Sequence, residues 1–371
     1  MFSLFSSPLQ KRTNKFISAL EGKKYEEALH LLESGIDVNA RGYYGQTALM
    51  LAGFCGYTDI AKILLDKGAN VNATHEDGRT ALIFASQHGK VEVVRLLLER
   101  EAIINAVDKQ GTTALMVASD QGYFETVRLL IEKGATINAS DRFGQTALTF
   151  AIFQGDLEMA KLLLENGASV NPINKGISPL ITAIKNGKLD ILNLLLEHRA
   201  NVNMVDVDDL TPLMVATMYG YLEIVKLLLE KKANIDATNA NGETALMMAC
   251  TFGYSEIGKL LIEKGADVNI KDNMGHDAYS YAVRYTRVEL GRILKGKSAQ
   301  SIVTVNPLSL RAGGGNTPST VTRNPFRTTG NTPSTVLQNP LSLMGGKVRR
   351  SRKTRARKTR NRKTRNRKTR R

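Results

Sequence analysis

The chain has 371 residues, 42% apolar and 23% charged, with aromatic residues held to 6% and a formal net charge of +16. That is ample material for a core, and no apolar run approaches the roughly 18 residues of a membrane span. The charge is not spread evenly: residues 347–371 hold sixteen basic residues and no acid, so residues 1–346 sum to zero, and the body before residue 296 is mildly acidic at 31 basic against 35 acidic residues.

In chain order, residues 1–12 read as a disordered leader. Its apolar residues precede its charges, the reverse of a secretion signal, although Phe2, Leu4, Phe5 and Leu9 offer a weak partner or membrane contact. Residues 13–40 form a worn first unit: Phe16, Ile17 and Leu20 line one helix, Tyr25, Ala28, Leu29, Leu31 and Leu32 a second, and Gly-Ile-Asp-Val-Asn-Ala closes it. Seven near-copies follow, at 41–73, 74–106, 107–139, 140–172, 173–204, 205–237 and 238–270, all 33 residues long except the fifth, which has 32. Each carries Gly-x-Thr-Ala/Pro-Leu or a close variant, a glycine eleven residues after the first, a paired apolar step such as Leu96-Leu97, and then Gly-Ala-x-Val-Asn or its variants.

The physical reading of one unit serves for all. Thr244 stands at a helix N-cap, and Ala245 to Phe252 form a short helix that Gly253 ends. Ile257, Leu260 and Leu261 mark one face of a second helix, Gly265 closes it, and Ala266 to Gly275 return as an extended finger with a turn. Helices of eight to ten residues cannot bury an apolar face alone, so each unit stacks on the next, with Leu96-Leu97, Leu129-Leu130, Leu162-Leu163, Leu194-Leu195 and Leu227-Leu228 inside. The fifth unit has Pro172 just before it and the sixth has Asp209 at the turn-glycine position, so a local bend is expected between them. Residues 271–295 form the C-terminal cap, with Ile293-Leu294 as its buried pair.

On these motifs the chain resembles the ankyrin repeat family over Arg41 to Ile270, with a partial unit at either end. The resemblance implies an all-α ankyrin-repeat solenoid of helix-turn-helix units with β-turn fingers. It also implies a non-enzymatic scaffold whose concave face, built from finger tips and first-helix ends, binds a protein. By register that surface is Tyr43, Tyr44, Gln46, Phe54, Arg79, His88, Arg142, Phe143, Phe153, Met218, Tyr219 and Phe252. The opposing expectation is that Phe54, Phe153, Tyr219 and Phe252 only pack between units. The family's usual histidine after Thr-Pro-Leu is replaced by Met50, Ile83, Met116, Thr149, Ile181, Met214 and Met247, which is expected to remove a polar tie and substitute apolar packing.

Residues 296–346 read as a disordered linker. Asn-Thr-Pro-Ser-Thr-Val and Asn-Pro-Leu-Ser-Leu each occur twice in it, and short polar repeats bury too little apolar surface to fold. The tail of residues 347–371, disordered by the same reasoning, carries Lys347, Arg349, Arg350, Arg352, Lys353, Arg355, Arg357, Lys358, Arg360, Arg362, Lys363, Arg365, Arg367, Lys368, Arg370 and Arg371. It is similar in composition to the basic C-termini of many proteins of large DNA viruses. Such a run binds polyanions, nucleic acid among them, by releasing counterions, or serves as a nuclear address. Thr354, Thr359, Thr364 and Thr369 are candidate phosphorylation sites that lower its charge.

Other patterns carry no chemistry. Gly291-Arg-Ile-Leu-Lys-Gly-Lys-Ser298 fits the GxxxxGK[ST] phosphate-loop expression, but Gly291 falls inside a second helix, where the backbone cannot wrap a phosphate. One acid per unit, from Asp59 to Glu289, precedes a basic residue by three in all but one unit, the spacing of surface ion pairs. The five histidines lack ligand spacing, and Cys55 and Cys250 lie too many units apart for a disulfide. The expectation is therefore an intracellular monomer, in cytoplasm or nucleus, with no catalytic residue, cofactor or metal. The alternative is a nucleic-acid-associated structural or virion protein in which the tail is the working element.

Overall fold

In the computed structural model, which describes residues 8–42, 45–171, 177–206 and 208–303, the chain runs as a succession of helical pairs. The first pair is α1 (Pro8–Glu21) with α2 (Tyr25–Glu33), followed by α3 (Ala48–Cys55) with α4 (Thr58–Asp66), α5 (Ala81–Gln87) with α6 (Val91–Glu99), and α7 (Ala114–Asp120) with α8 (Phe124–Glu132). Then come α9 (Ala147–Gln154) with α10 (Leu157–Glu165), α11 (Pro179–Lys185) with α12 (Leu189–Glu197), and α13 (Pro212–Met218) with α14 (Leu222–Glu230). The pairs α15 (Ala245–Phe252) with α16 (Ser255–Glu263) and α17 (Ala278–Arg284) with α18 (Val288–Val303) complete the series. Among the described residues the extended structure is limited to isolated antiparallel bridges that close fingers, such as Thr74 to Thr80. The fold is an all-α repeat stack.

Hydroxyl caps start the first helices. Thr47, Thr80, Thr113, Thr146, Thr211 and Thr244 each accept the backbone N–H three residues on, at 3.2 to 3.3 Å. The missing histidines change this cap less than expected, and that expectation is corrected. The sulfurs of Met50, Met116, Met214 and Met247 accept the cap residue's own N–H at 3.4 to 3.5 Å, and the Thr149 hydroxyl accepts that of Thr146 at 2.7 Å. A thioether is a weak acceptor but a flexible one, so in these units the tie survives in softer form. At the other end, α15 stops where Gly253 takes a left-handed φ of 82°.

First helices are buried almost throughout, from Ala245 to Cys250 in α15, whereas second helices bury one face. The second Leu of each pair, such as Leu97, Leu163 and Leu228, is fully buried, while Leu96, Leu162 and Leu227 are half-buried. Successive helical residues point about 100° apart, and of the five expected pairs Leu129-Leu130 and Leu194-Leu195 are buried at both positions. Cys250 is also enclosed, and burial pushes its thiol up to about 12. Both cysteines are free.

Units are also joined by polar ties. Asn138 donates from Nδ2 to the Gly167 carbonyl at 2.9 Å and accepts the Ser169 N–H on Oδ1 at 2.7 Å. The same side-chain oxygen bridges recur from Asn39, Asn72, Asn105, Asn171 and Asn203 to the next unit at 2.8 Å. Fingers add direct backbone bonds, such as the Lys109 N–H to the Asp77 carbonyl at 2.8 Å.

Several boundaries move. Helix α1 begins at Pro8 rather than Thr13, because proline suits the first helical turn. Residues 8–12 therefore belong to it rather than to a disordered leader. Helix α18 runs to Val303, past the boundary expected at Lys295. Interior second helices end two residues before a left-handed residue such as Gly265, and Ser298, which stands at that register in the last unit, is helical instead. Residues 291–298 lie within this helix, in agreement with the rejection of a phosphate loop. The bend expected near Pro172 falls partly on residues outside the described ones. On its described flanks the Asn138 and Asn171 bridges continue, and Asp209 adopts the turn conformation of the missing glycine, with φ 55°. Residues 296–303 of the expected linker belong to α18, and residues 304–371, the rest of the expected linker and the tail, lie outside the described residues.

Candidate protein-binding surface

The surface expected from register is assembled by the fingers and the C-terminal ends of α3, α5, α9, α13 and α15. Tyr43 and Tyr44 lie outside the described residues. Gln46, one residue before the Thr47 cap, is half-buried, and its Oε1 is fully enclosed with no hydrogen-bond partner among the described residues. Phe54 at the end of α3 is 39% exposed and packs on the His88 ring at 4.2 Å between centroids. The His88 Nδ1 lies 2.9 Å from the Phe84 carbonyl. Because a carbonyl only accepts, that nitrogen carries the proton and Nε2 is the acceptor of the neutral ring.

Arg79 is held rather than free. Its guanidinium sits 4.3 Å above the Phe84 ring, donates to Asp77 at 2.7 Å and reaches the Gln87 Oε1 at 3.0 Å. Burial weighs against charge on Asp77, but hydrogen bonds from Arg79 and His75 outweigh it and hold the carboxyl well below its ordinary range. Gln46, Phe54, Arg79 and His88 meet around a cavity of about 540 Å³, to which Glu21, Phe84 and Cys55 also contribute. Register alone did not select those last three. Phe84 is legible in hindsight as an aromatic residue on the inner helix, but Glu21 belongs to the worn first unit, where the repeat pattern no longer guides the eye.

Further along, the finger tip of the fourth full unit places the Arg142 guanidinium 4.7 Å over the ring of Phe143, which is 59% exposed. Phe153, at the end of α9, is 44% exposed beside the Gln154 to Asp120 hydrogen bond of 2.9 Å. Met218, Tyr219 and Phe252 are half-buried and pack against the core. Tyr219 stacks on Tyr221 at 5.6 Å and Phe252 on Tyr254 at 6.4 Å. The helix-end aromatics therefore divide: Phe54 and Phe153 reach solvent, and Tyr219 and Phe252 serve chiefly as packing.

Among the described residues no group of three or more His, Cys, Asp or Glu side chains is placed to hold a metal ion, and no helix is long and apolar enough to cross a membrane. The acid row is a solvated face. Glu158, Glu223 and Glu256 pair with Lys161, Lys226 and Lys259 three residues on, at 2.8 to 3.0 Å. Asp59 instead accepts from the Tyr25 hydroxyl at 3.3 Å, and Arg128 lies 5.2 Å from the Phe124 ring centre.

Stacked helical pairs with projecting fingers and a continuous core define a repeat protein of the kind that presents a surface. The family model described as ankyrin repeats (3 copies) matches residues 9–75, 69–141, 104–174, 137–206, 171–239 and 213–305, and the chain belongs to the ankyrin repeat family. Members of this family generally act as protein–protein interaction modules and are typically not enzymes. Comparison with curated proteins gives no match.

Proposed function

We propose that the protein is a non-enzymatic scaffold that captures a protein partner on the surface around Phe54, Phe143 and Phe153, with the basic segment of residues 347–371 as a nuclear address or polyanion anchor. The observation that carries this reading is the exposure of those three aromatic rings, in contrast to Tyr219 and Phe252, which pack against the core at the ends of later first helices. Exposed rings bring large apolar area at low entropic cost and are favoured interface anchors. The fixed Arg79, with its donors committed to Asp77 and Gln87, gives the cavity beside Phe54 a rigid wall.

The test is affinity capture from cells with the full chain and with a Phe143→Ala/Phe153→Ala double variant. Specific partners are lost by the variant while thermal unfolding stays within about 0.5 kcal/mol of wild type, as surface substitutions do. A large loss of stability, or retention of all partners, refutes the reading. Sixteen basic residues without an acid in residues 347–371 favour a second role in polyanion binding. Deleting that segment abolishes salt-sensitive retention on DNA if this is so, and leaves protein capture intact. Loss of the captured proteins together with nucleic acid would instead make the basic segment the working element.

A further inference from the structure

We infer that the outer face of the last unit, uncovered among the described residues, is a seam built to receive a helix of a partner protein that carries an acidic residue followed directly by Leu or Ile. The repeat itself supplies the template. Val283 in α17 stands in register with Ser119, Ile152, Ile184, Thr217 and Cys250, all fully buried where the next unit covers them, yet Val283 is 58% exposed. A terminal unit ordinarily turns a polar face outward; here Tyr279, Val283, Val288 and Gly291, together with Thr286 and the stems of three basic side chains, line a shallow cavity of about 320 Å³.

The neighbouring seam shows what fits such a cavity. Between the last two units Gly258 forms a notch filled by Leu290, whose Cδ2 would lie 2.6 Å from a Cβ placed at Gly258. One position further along, Lys259 pairs with Glu289 of the next unit at 2.6 Å. The outer face repeats both elements: Gly291 is in register with Gly258, and a Cβ there would meet nothing nearer than its own unit's Ala282 at 3.9 Å. Arg292 is in register with Lys259, and among the described residues no carboxylate is paired with it. The Glu289-Leu290 step therefore reads as the pattern for the occupant: an acid for Arg292 and a branched apolar side chain for the notch.

A second copy of this chain does not match that pattern. In its first unit the residue in register with Leu290 is Glu27, which is bound to Lys24 at 3.2 Å, so stacking head to tail would bring a carboxylate to the notch. The face also lies at the end of the stack and shares no residue with the aromatic surface proposed above, so either reading can fail without the other.

The probe is a fluorescein-labelled synthetic helix, bridged by side-chain lactams and carrying Glu-Leu at its centre, followed by anisotropy with the full chain. Binding is expected to saturate and to weaken at least about tenfold with Gly291→Leu, which fills the notch, and with Arg292→Glu. A probe with Lys in place of Glu is expected to restore binding to Arg292→Glu. The Arg292 position is exposed on α18, so the charge swap decides the matter even if Gly291→Leu disturbs folding. The inference is overturned by absence of saturable binding, by indifference to Arg292→Glu, by failure of the swapped probe to rescue, or by wild-type self-association in sedimentation that Gly291→Leu removes.

Discussion

At position 101 the chain needs a left-handed residue and has a glutamate. The equivalent residue after the second helix is Gly68, Gly134, Gly167 or Gly265 in other units, all with φ between 85° and 93°, whereas Glu101, Arg199 and Lys232 are held at 63° to 64°. A side chain in this conformation costs about 1–2 kcal/mol, and glycine returns part of that gain as chain entropy in the unfolded state. Glu101→Gly is therefore expected to stabilise the protein by about 0.5–1 kcal/mol, measured by urea unfolding; a loss of stability would mean that the glutamate side chain makes a compensating contact. The same reasoning does not extend to Asp209, since aspartate tolerates the left-handed region better than a long side chain.

At the scale of the element, helical pairs are held by a buried apolar face and, from Asn39 to Asn203, by one side-chain amide per unit reaching into the next. Asn138→Ala removes both halves of its bridge, the donor to Gly167 and the acceptor for Ser169. The bridge is partly open to water, so the expected cost is about 1–2 kcal/mol. Asn138→Asp, which keeps the acceptor and loses the donor, should fall between the two. Asp236 already shows that halfway state, accepting the Asp267 N–H at 2.9 Å in place of an asparagine. How far such elements can be read from sequence follows from what repeats. The cap threonines, the stop at Gly253 and the span Ala245–Phe252 were all legible because six or more copies state them in the same register. The ends were not: α1 and α18 extend beyond their expected limits where Pro8 and Ser298 replace the repeating signals with single ones. The sulfur acceptors of Met50 and its equivalents were likewise invisible, because methionine in a buried row reads as apolar filling until its distance to a backbone N–H is known. Exposure at the candidate surface was the hardest feature to foresee. Phe153 and Phe252 are the same residue type one register position apart, Phe252 standing where the earlier unit has Gln154, and Phe252 stacks on the Tyr254 ring, where that unit has Asp156.

Over the described residues as a whole, contacts run between neighbouring units, so stability is a sum of unit and seam contributions rather than the property of one central core. A substitution's consequences should then depend on its place in the series as well as on its size. Leu163 in α10 and Leu290 in α18 are both fully buried, and truncating either to alanine removes a comparable contact worth about 2–5 kcal/mol. Leu163 has folded units on both sides, so Leu163→Ala weakens two seams in the interior and is expected to lower protection from hydrogen exchange in the units flanking α10. Leu290 serves only the last seam, where it fills the Gly258 notch, so Leu290→Ala is expected to release protection in α17 and α18 while α3 to α10 exchange as in wild type. Hydrogen exchange followed by mass spectrometry separates these outcomes. Uniform loss of protection across all units in Leu290→Ala would mean that the stack melts as a single cooperative block, and the seam-by-seam account of its stability would be wrong.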